Sequence, residues 1–143
     1  MKHYVCGFLF SPDPPGHSRV LLIRKNRPAW QAGKLNGVGG KIESFDENPA
    51  AAIRREFREE AGLDISAWEE VLTLTAADWH THFYRAFGDI DVARAMTDEQ
   101  LEIYPTRQLP SDTIPNLHWM IPLMLDDQIL ARNYVVRIPP TDR

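Results

Sequence analysis

The sequence predicts an α/β fold built on a mixed β-sheet. Three observations carry this reading. Short apolar stretches with strand-like composition occur near both ends of the chain, Gly- and Pro-rich turns separate them, and one strongly helical segment lies between the early and later strands. A chain of 143 residues has the length of one domain with a real core, so residues 1–143 are expected to form a single unit.

The first strand is expected over residues 4–10, which are short, apolar and aromatic and run into the turn Ser11-Pro12-Asp13-Pro14-Pro15. Residues 19–23 (RVLLI) make a second strand, giving a hairpin closed by a loop over 12–18. A polar loop follows over 25–33 and contains Pro28 and Trp30. Residues 35–42 are punctuated by Gly37, Gly39 and Gly40, which excludes a helix there, and Asn36-Gly37 is a turn signal. Residues 47–61 form the clearest helix. Asp46 or Asn48 can cap it, Pro49 suits its first turn, Ile53 and Phe57 supply an apolar face, and Gly62 ends it. Residues 71–76 and 80–87 read as two strands, and 91–102 as an acidic loop with one helical turn. A second helix is expected over 117–125 with Trp119 packed into the core, and a last short strand over 134–138.

Composition narrows the function. The net charge of −4 gives no support for coating a nucleic acid polymer. Cys6 is the only cysteine, so an internal disulfide and a multi-cysteine zinc site are excluded. No run of about 18 apolar residues offers a membrane span. The opening MKHYVCGFLF is interrupted by Gly7 and has no small-residue cleavage site, so a first strand is preferred to a signal peptide and the cytoplasm is the default location.

The helix over 47–61 carries the chemistry. Residues three and four apart share a helix face, so Glu56, Glu59 and Glu60 present their carboxylates together within about one turn. Clustered carboxylates repel one another and resist losing water. A hard divalent cation such as Mg²⁺ or Mn²⁺ offsets both penalties, because it takes oxygen ligands and brings two positive charges. The pattern therefore points to a metal site that handles phosphate. By itself, an RREFREE stretch would read as a solvated face of Arg–Glu pairs; the flanking Gly39-Gly40, Glu47 and Gly62 tip the balance.

The segment 39–63 resembles the signature of the Nudix hydrolases, which cleave nucleoside diphosphates linked to another moiety. That pattern is Gly, five residues, Glu, seven residues, then Arg-Glu-aliphatic-x-Glu-Glu-x-Gly-aliphatic. Arg55 through Leu63 match it, with Phe57 in the aliphatic place, and Glu47 stands at the right distance from Arg55. Residues 41–46 put six positions between Gly40 and Glu47, one more than the family has. The resemblance implies an α/β/α sandwich whose metal ligands are Glu56, Glu59, Glu60 and the Gly39 carbonyl. It further implies a Glu47–Arg55 ion pair, and a later acidic ligand at Glu99, with Glu102 as the alternative. Glu59 is the expected general base.

Residues 34–41 are similar to the branch of the family that removes oxidised nucleoside triphosphates. That similarity implies purine contact by Asn36 and a base pocket lined by Trp30; Trp30 is equally suited to anchor its loop. Residues 115–122 resemble the same branch's base-recognition segment, but Asn116 and Leu117 stand where that branch has two Asp residues. Asn116 is as well suited to cap the second helix as to read a base. Arg24 and Lys25 end a strand near the motif, where they could meet phosphate oxygens or remain solvated. His80 and His82 share a strand face with Tyr84. They could flank the substrate, whereas zinc would need a third ligand that the sequence does not identify.

The leading expectation is Mg²⁺-dependent hydrolysis of a nucleoside triphosphate, oxidised ones included, to the monophosphate and pyrophosphate. The same chemistry on ADP-ribose, a nucleotide sugar or a dinucleoside polyphosphate is the second reading, and a non-catalytic nucleotide-binding regulatory domain the third. The expected partner is a small nucleotide, with no membrane contact, in a monomer or homodimer.

Overall fold

The computed structural model describes residues 1–14, 16–127 and 134–139. β1 (Lys2–Phe10) and β2 (Arg19–Arg24) form the expected antiparallel pair, with Leu9 opposite Leu21 and Phe10 opposite Val20. Pro15 of the connecting turn lies outside the described residues. β3 (Leu35–Asn36) adds to β2, while β4 (Val38–Lys41) adds to β1. Asn36-Gly37 is therefore no hairpin turn; it is where the chain changes strand partner.

That change divides one edge of β1 between two strands, with residues 4–7 pairing to β4 and residues 9–10 to β2. β2 leaves β1 after Leu21 and pairs with β3 at Ile23 and Arg24. The other edge of β1 is paired along its whole length with parallel β6 (Trp79–Phe87). β5 (Glu69–Thr75) runs antiparallel to β6, and β8 (Tyr134–Arg137) runs parallel to β5.

β7 (Gln100–Pro105) pairs antiparallel with β2 and corrects the expected loop over 91–102. Only a 3₁₀ turn at Ile90–Val92 and the residues up to Glu99 remain non-strand. Its alternation is real, since Leu101 and Ile103 pack on one side of the sheet and Tyr104 on the other. The acidic run before it conceals the pattern.

The helices cover opposite faces. α1 (Pro49–Ala61) buries Phe57 and Ala61 against Leu9, Leu21, Ile23 and Val38. α2 (Leu117–Met124) buries Leu117, Met120 and Ile121 against Phe8, Phe10, Val20 and Leu22. Alternate residues of β1 and β2 thus feed the two cores, as the two-residue period of a strand requires. The result is an α/β/α sandwich with a mixed sheet. Trp119 departs from expectation: it is 45% exposed on the outer side of α2. Among the described residues, no helix is long and apolar enough to cross a membrane.

Candidate active site

Local chemistry sets the limits of α1. Asn48 caps it by accepting from the Ala51 N–H at 2.8 Å, Pro49 occupies the first turn, and Gly62 leaves it at φ +72°. Within these limits Glu56 is buried, Glu60 partly buried and Glu59 exposed. Burial raises the Glu56 carboxyl above its usual range, and the neighbouring Arg55 guanidinium opposes that rise. Glu60 is pushed up to about 7, first by burial and then by the charge of Glu56, with Lys25 opposing it and Glu99 and Glu59 adding to it. Glu60 Oε2 is buried and has no hydrogen-bond partner.

Arg55 ties the face together, but through a different acid from the one expected. Its Nε and Nη2 donate to the two Asp46 oxygens at 2.9 and 2.8 Å, and Nη1 donates to Glu56 Oε1 and Glu59 Oε2, both at 3.1 Å. The expected Glu47–Arg55 pair is thereby corrected: Asp46 takes the place and Glu47 is exposed. The turn explains the choice. Asp46 Oδ2 accepts from the Glu43 N–H and the Asp46 N–H donates to the Glu43 carbonyl, folding the loop so that Asp46 points inward. Five residues separate Gly40 from Asp46, so the extra position falls between the acid and the helix rather than before the acid. The Asp46 and Arg55 side chains are 4% and 14% exposed. Asp46→Ala is expected to cost about 2–3 kcal/mol, because it strands a charged donor, whereas Glu47→Ala should fall within about 0.5 kcal/mol. Urea unfolding of the two variants checks this.

β4 supplies the floor. A β-carbon on Gly40 would lie 2.6 Å from Glu56 Oε1, so only glycine lets that carboxylate approach the strand. Gly39 and Gly40 line a cavity of about 570 Å³ that is bounded also by residues of β1, β3, β5 and β6. Trp30, Asn36, Asn116 and Lys25 also line it, and Trp30 is 64% exposed at its rim. Asn116 precedes α2 without a side-chain cap; its Nδ2 instead donates to Met120 Sδ at 3.1 Å.

Glu99 reaches the same region from the loop before β7. It is 4% exposed, receives the Lys25 ammonium at 3.1 Å and accepts from the Asn26 N–H at 2.5 Å. Glu102, the alternative, is bound instead to Arg24 and Tyr104. Arg24 is corrected as a phosphate contact, because Glu102, Asp112 and the Gly33 carbonyl consume its guanidinium. Lys25, the neighbouring cation, is the one that lines the cavity.

His80 and His82 do not flank this cavity. Thr81 and Phe83 of β6 line it, so the histidines lie on the opposite sheet face. There the structure adds His3 of β1, whose ring lies 5.1 Å from His80 and 6.5 Å from His82. The sequence offered no signal for this third histidine, because His3 meets His80 only through strand register.

Among the described residues, no three His, Cys, Asp or Glu side chains stand as a ready-made ligand set. Around α1 the reason is visible. Arg55 bridges Glu56 and Glu59, and Lys25 takes Glu99, so the protein's own cations hold the carboxylates. The donors nevertheless fit a hard divalent ion. They are carboxylate oxygens, one of them buried without a partner, beside a strand that must be glycine to let them in.

The NUDIX domain model matches residues 4–128, spanning both cores and the whole of α1. The chain belongs to the NUDIX family. Solved structures with similar folds include the NUDIX domain of Shewanella oneidensis NrtR complexed with ADP ribose. It is 17% identical, with 85% of this chain and 84% of that one covered and a TM-score of 0.69. A NUDIX hydrolase from Nitrosomonas europaea is 17% identical over 97% of this chain and 79% of that one, with a TM-score of 0.73. A MutT NUDIX hydrolase from Burkholderia pseudomallei is 21% identical over 85% and 96%, with a TM-score of 0.67. No curated protein matches the chain. At these identities the structural likeness speaks for the Nudix fold, and the chemistry must come from the chain's own residues.

Proposed function

We propose that this Nudix domain hydrolyses a nucleoside triphosphate to the monophosphate and pyrophosphate with Mg²⁺ or Mn²⁺. The observation that carries the reading is the buried, unpartnered Glu60 Oε2 among Glu56, Glu59 and Glu99, beside a nucleoside-sized cavity. A fold has no structural use for such a cluster. Glu56, Glu59, Glu60 and the Gly39 carbonyl would hold the ion, with Glu99 as the later ligand. When bound, the ion screens phosphate charge, acidifies a water and stabilises the departing phosphate.

The remaining work falls to the chain. Glu59, the most exposed of the three, takes the proton of the attacking water. Arg55 keeps Glu56 and Glu59 in register through Nη1. Lys25 stands on the cavity wall where phosphate oxygens arrive. Trp30 offers an indole face to the base and Asn36 an amide to its edge.

Incubation with a nucleotide panel and Mg²⁺, followed by measurement of pyrophosphate against phosphate, tests the proposal. Glu59→Gln should lower kcat by about 10²–10⁴-fold with the fold retained; turnover at the wild-type rate would remove Glu59 from the mechanism. The ADP-ribose complex of the NrtR domain favours one further arm. Cleavage of ADP-ribose, with no pyrophosphate from any triphosphate, would replace this substrate reading. Binding without cleavage of any nucleotide would make the domain a regulatory one.

A further inference from the structure

The histidines on the sheet face away from Gly39, Gly40 and their cavity form a cluster that the hydrolase reading leaves unused. His3 and His80 are register partners on neighbouring strands, and His82 lies two residues further along β6. Neighbouring strands are about 4.8 Å apart and a two-residue step spans about 6.6 Å, so three imidazoles rise side by side from one patch of sheet. Their ring centroids lie 5.1 Å apart for His3–His80 and 6.5 Å for His3–His82. The α1 side of the sheet is packed at Val5, Ile53 and Tyr84, whereas His3 is exposed and His80 and His82 are half-buried. There the three rings line a cavity of about 630 Å³ with Thr73 and Thr75. Arg137 also lines it, but Thr75 stands between Arg137 and His80 in the ladder, which sets the two strands about 10 Å apart.

Two of the rings show how their nitrogens are disposed. His82 Nδ1 lies 2.6 Å from Glu70 Oε1. An ionised carboxylate only accepts, so Nδ1 carries the proton and Nε2 of the neutral ring keeps its lone pair. A carboxylate behind an imidazole is the arrangement that orients a metal-binding histidine. His80 Nδ1 is buried without a hydrogen-bond partner, a cost that a bond to a metal would remove. As they stand, the rings stack or tilt over one another and do not converge on one point, so the ligand set is not preformed. Because His3 is exposed, closing the set asks for side-chain rotation and no shift of strand register. Neutral imidazoles suit Zn²⁺ and its transition-metal neighbours, whereas Mg²⁺ prefers oxygen. Three of them leave the fourth tetrahedral position open to the cavity. We propose that His3, His80 and His82, with Glu70 orienting His82, bind one Zn²⁺-class cation and thereby tie the start of β1 to β6. The site uses none of the residues assigned to nucleotide hydrolysis and does not depend on that reading.

The experiment titrates Zn²⁺ into the full chain by calorimetry, in excess Mg²⁺ so that the α1 carboxylates are contested by a hard ion. Wild type should bind a single Zn²⁺, and Zn²⁺ at about a hundredfold excess over its Kd should raise Tm by about 5–10 °C. His3→Ala and His80→Ala should each weaken Zn²⁺ binding by more than about a hundredfold, and Glu70→Gln by about ten- to a hundredfold. His17→Ala, at an exposed histidine outside the cluster, is the control and should leave the affinity unchanged. Co²⁺ in place of Zn²⁺ should give wild type the intense visible absorption of a four-coordinate site, and His3→Ala should lose it. Circular dichroism checks that each variant is folded; His3 is exposed, so its truncation leaves the core intact. Wild-type Zn²⁺ affinity in either His3→Ala or His80→Ala would place the ion on other ligands and overturn the proposal, as would a wild type that binds no Zn²⁺.

Discussion

Glu60→Gln is expected to lower turnover by about a hundredfold or more, yet make the metal-free protein more stable at neutral pH. The sign follows from the proton balance. The Glu60 carboxyl is raised to about 7 in the folded chain, from 4.5 for an ordinary Glu. The folded state therefore holds its proton more tightly than the unfolded chain does. The stability this confers is fully present below pH 4.5, and it is lost as pH rises through 7. Over that window the loss amounts to about 3 kcal/mol. Metal-free wild type should melt at a progressively lower temperature between pH 5 and pH 8, and Glu60→Gln should flatten that slope. Mg²⁺ should act in the opposite sense, since its ligands must be deprotonated. It should raise Tm more at pH 8 than at pH 5 in wild type and little at either pH in the variant. Thermal melts with and without Mg²⁺ read both effects. An unchanged slope and an unchanged Mg²⁺ shift in the variant would remove Glu60 from the ligand set.

Gly39→Ala should be the most damaging small substitution in the sheet. A β-carbon there would lie 1.9 Å from the Val5 carbonyl oxygen and 2.8 Å from Cys6 Cα. Neither can give way, because Cys6 and Gly39 are register partners and β1 joins the two halves of the sheet. The expected loss exceeds about 3 kcal/mol and lowers Tm by about 10 °C. Gly88→Ala is the control, since its β-carbon would meet only Leu9 Cδ1 at an ordinary 3.5 Å. Calorimetry on the pair separates backbone collision from a general intolerance of added methyl groups, and equal melting temperatures would contradict the close approach of β4 to β1.

Much of the candidate site is local, and what is local was legible. Asn48, Pro49 and Gly62 delimit α1 through bonds that span a few residues, and the 3.6-residue period alone places Glu56, Glu59 and Glu60 together. The apolar runs of β1 and β2 were likewise legible as strands, and the structure buries them on both faces of the sheet. The identity of Arg55's acid partner was not legible. Asp46 and Glu47 are adjacent acids, and the Glu43–Asp46 turn decides which of them faces inward. Nor could sequence reveal that Arg24 is spent on Glu102 and Asp112, or that β4 leaves its neighbour β3 for β1.

By itself, then, the sequence determined the helix, its acidic face and the family signature, because these depend on contacts within a few residues. The tertiary structure decided which partners the polar groups take. It spent Arg24 on Glu102 and Asp112, and it placed Lys25 on the cavity wall paired with Glu99. It brought His3 beside His80 on the far face of the sheet and tied the Asn36 amide to Gln31 on the cavity wall. The reason is strand register. Burying alternate apolar residues on both faces fixes how β1, β2, β4 and β7 align, and that alignment selects partners from distant parts of the chain.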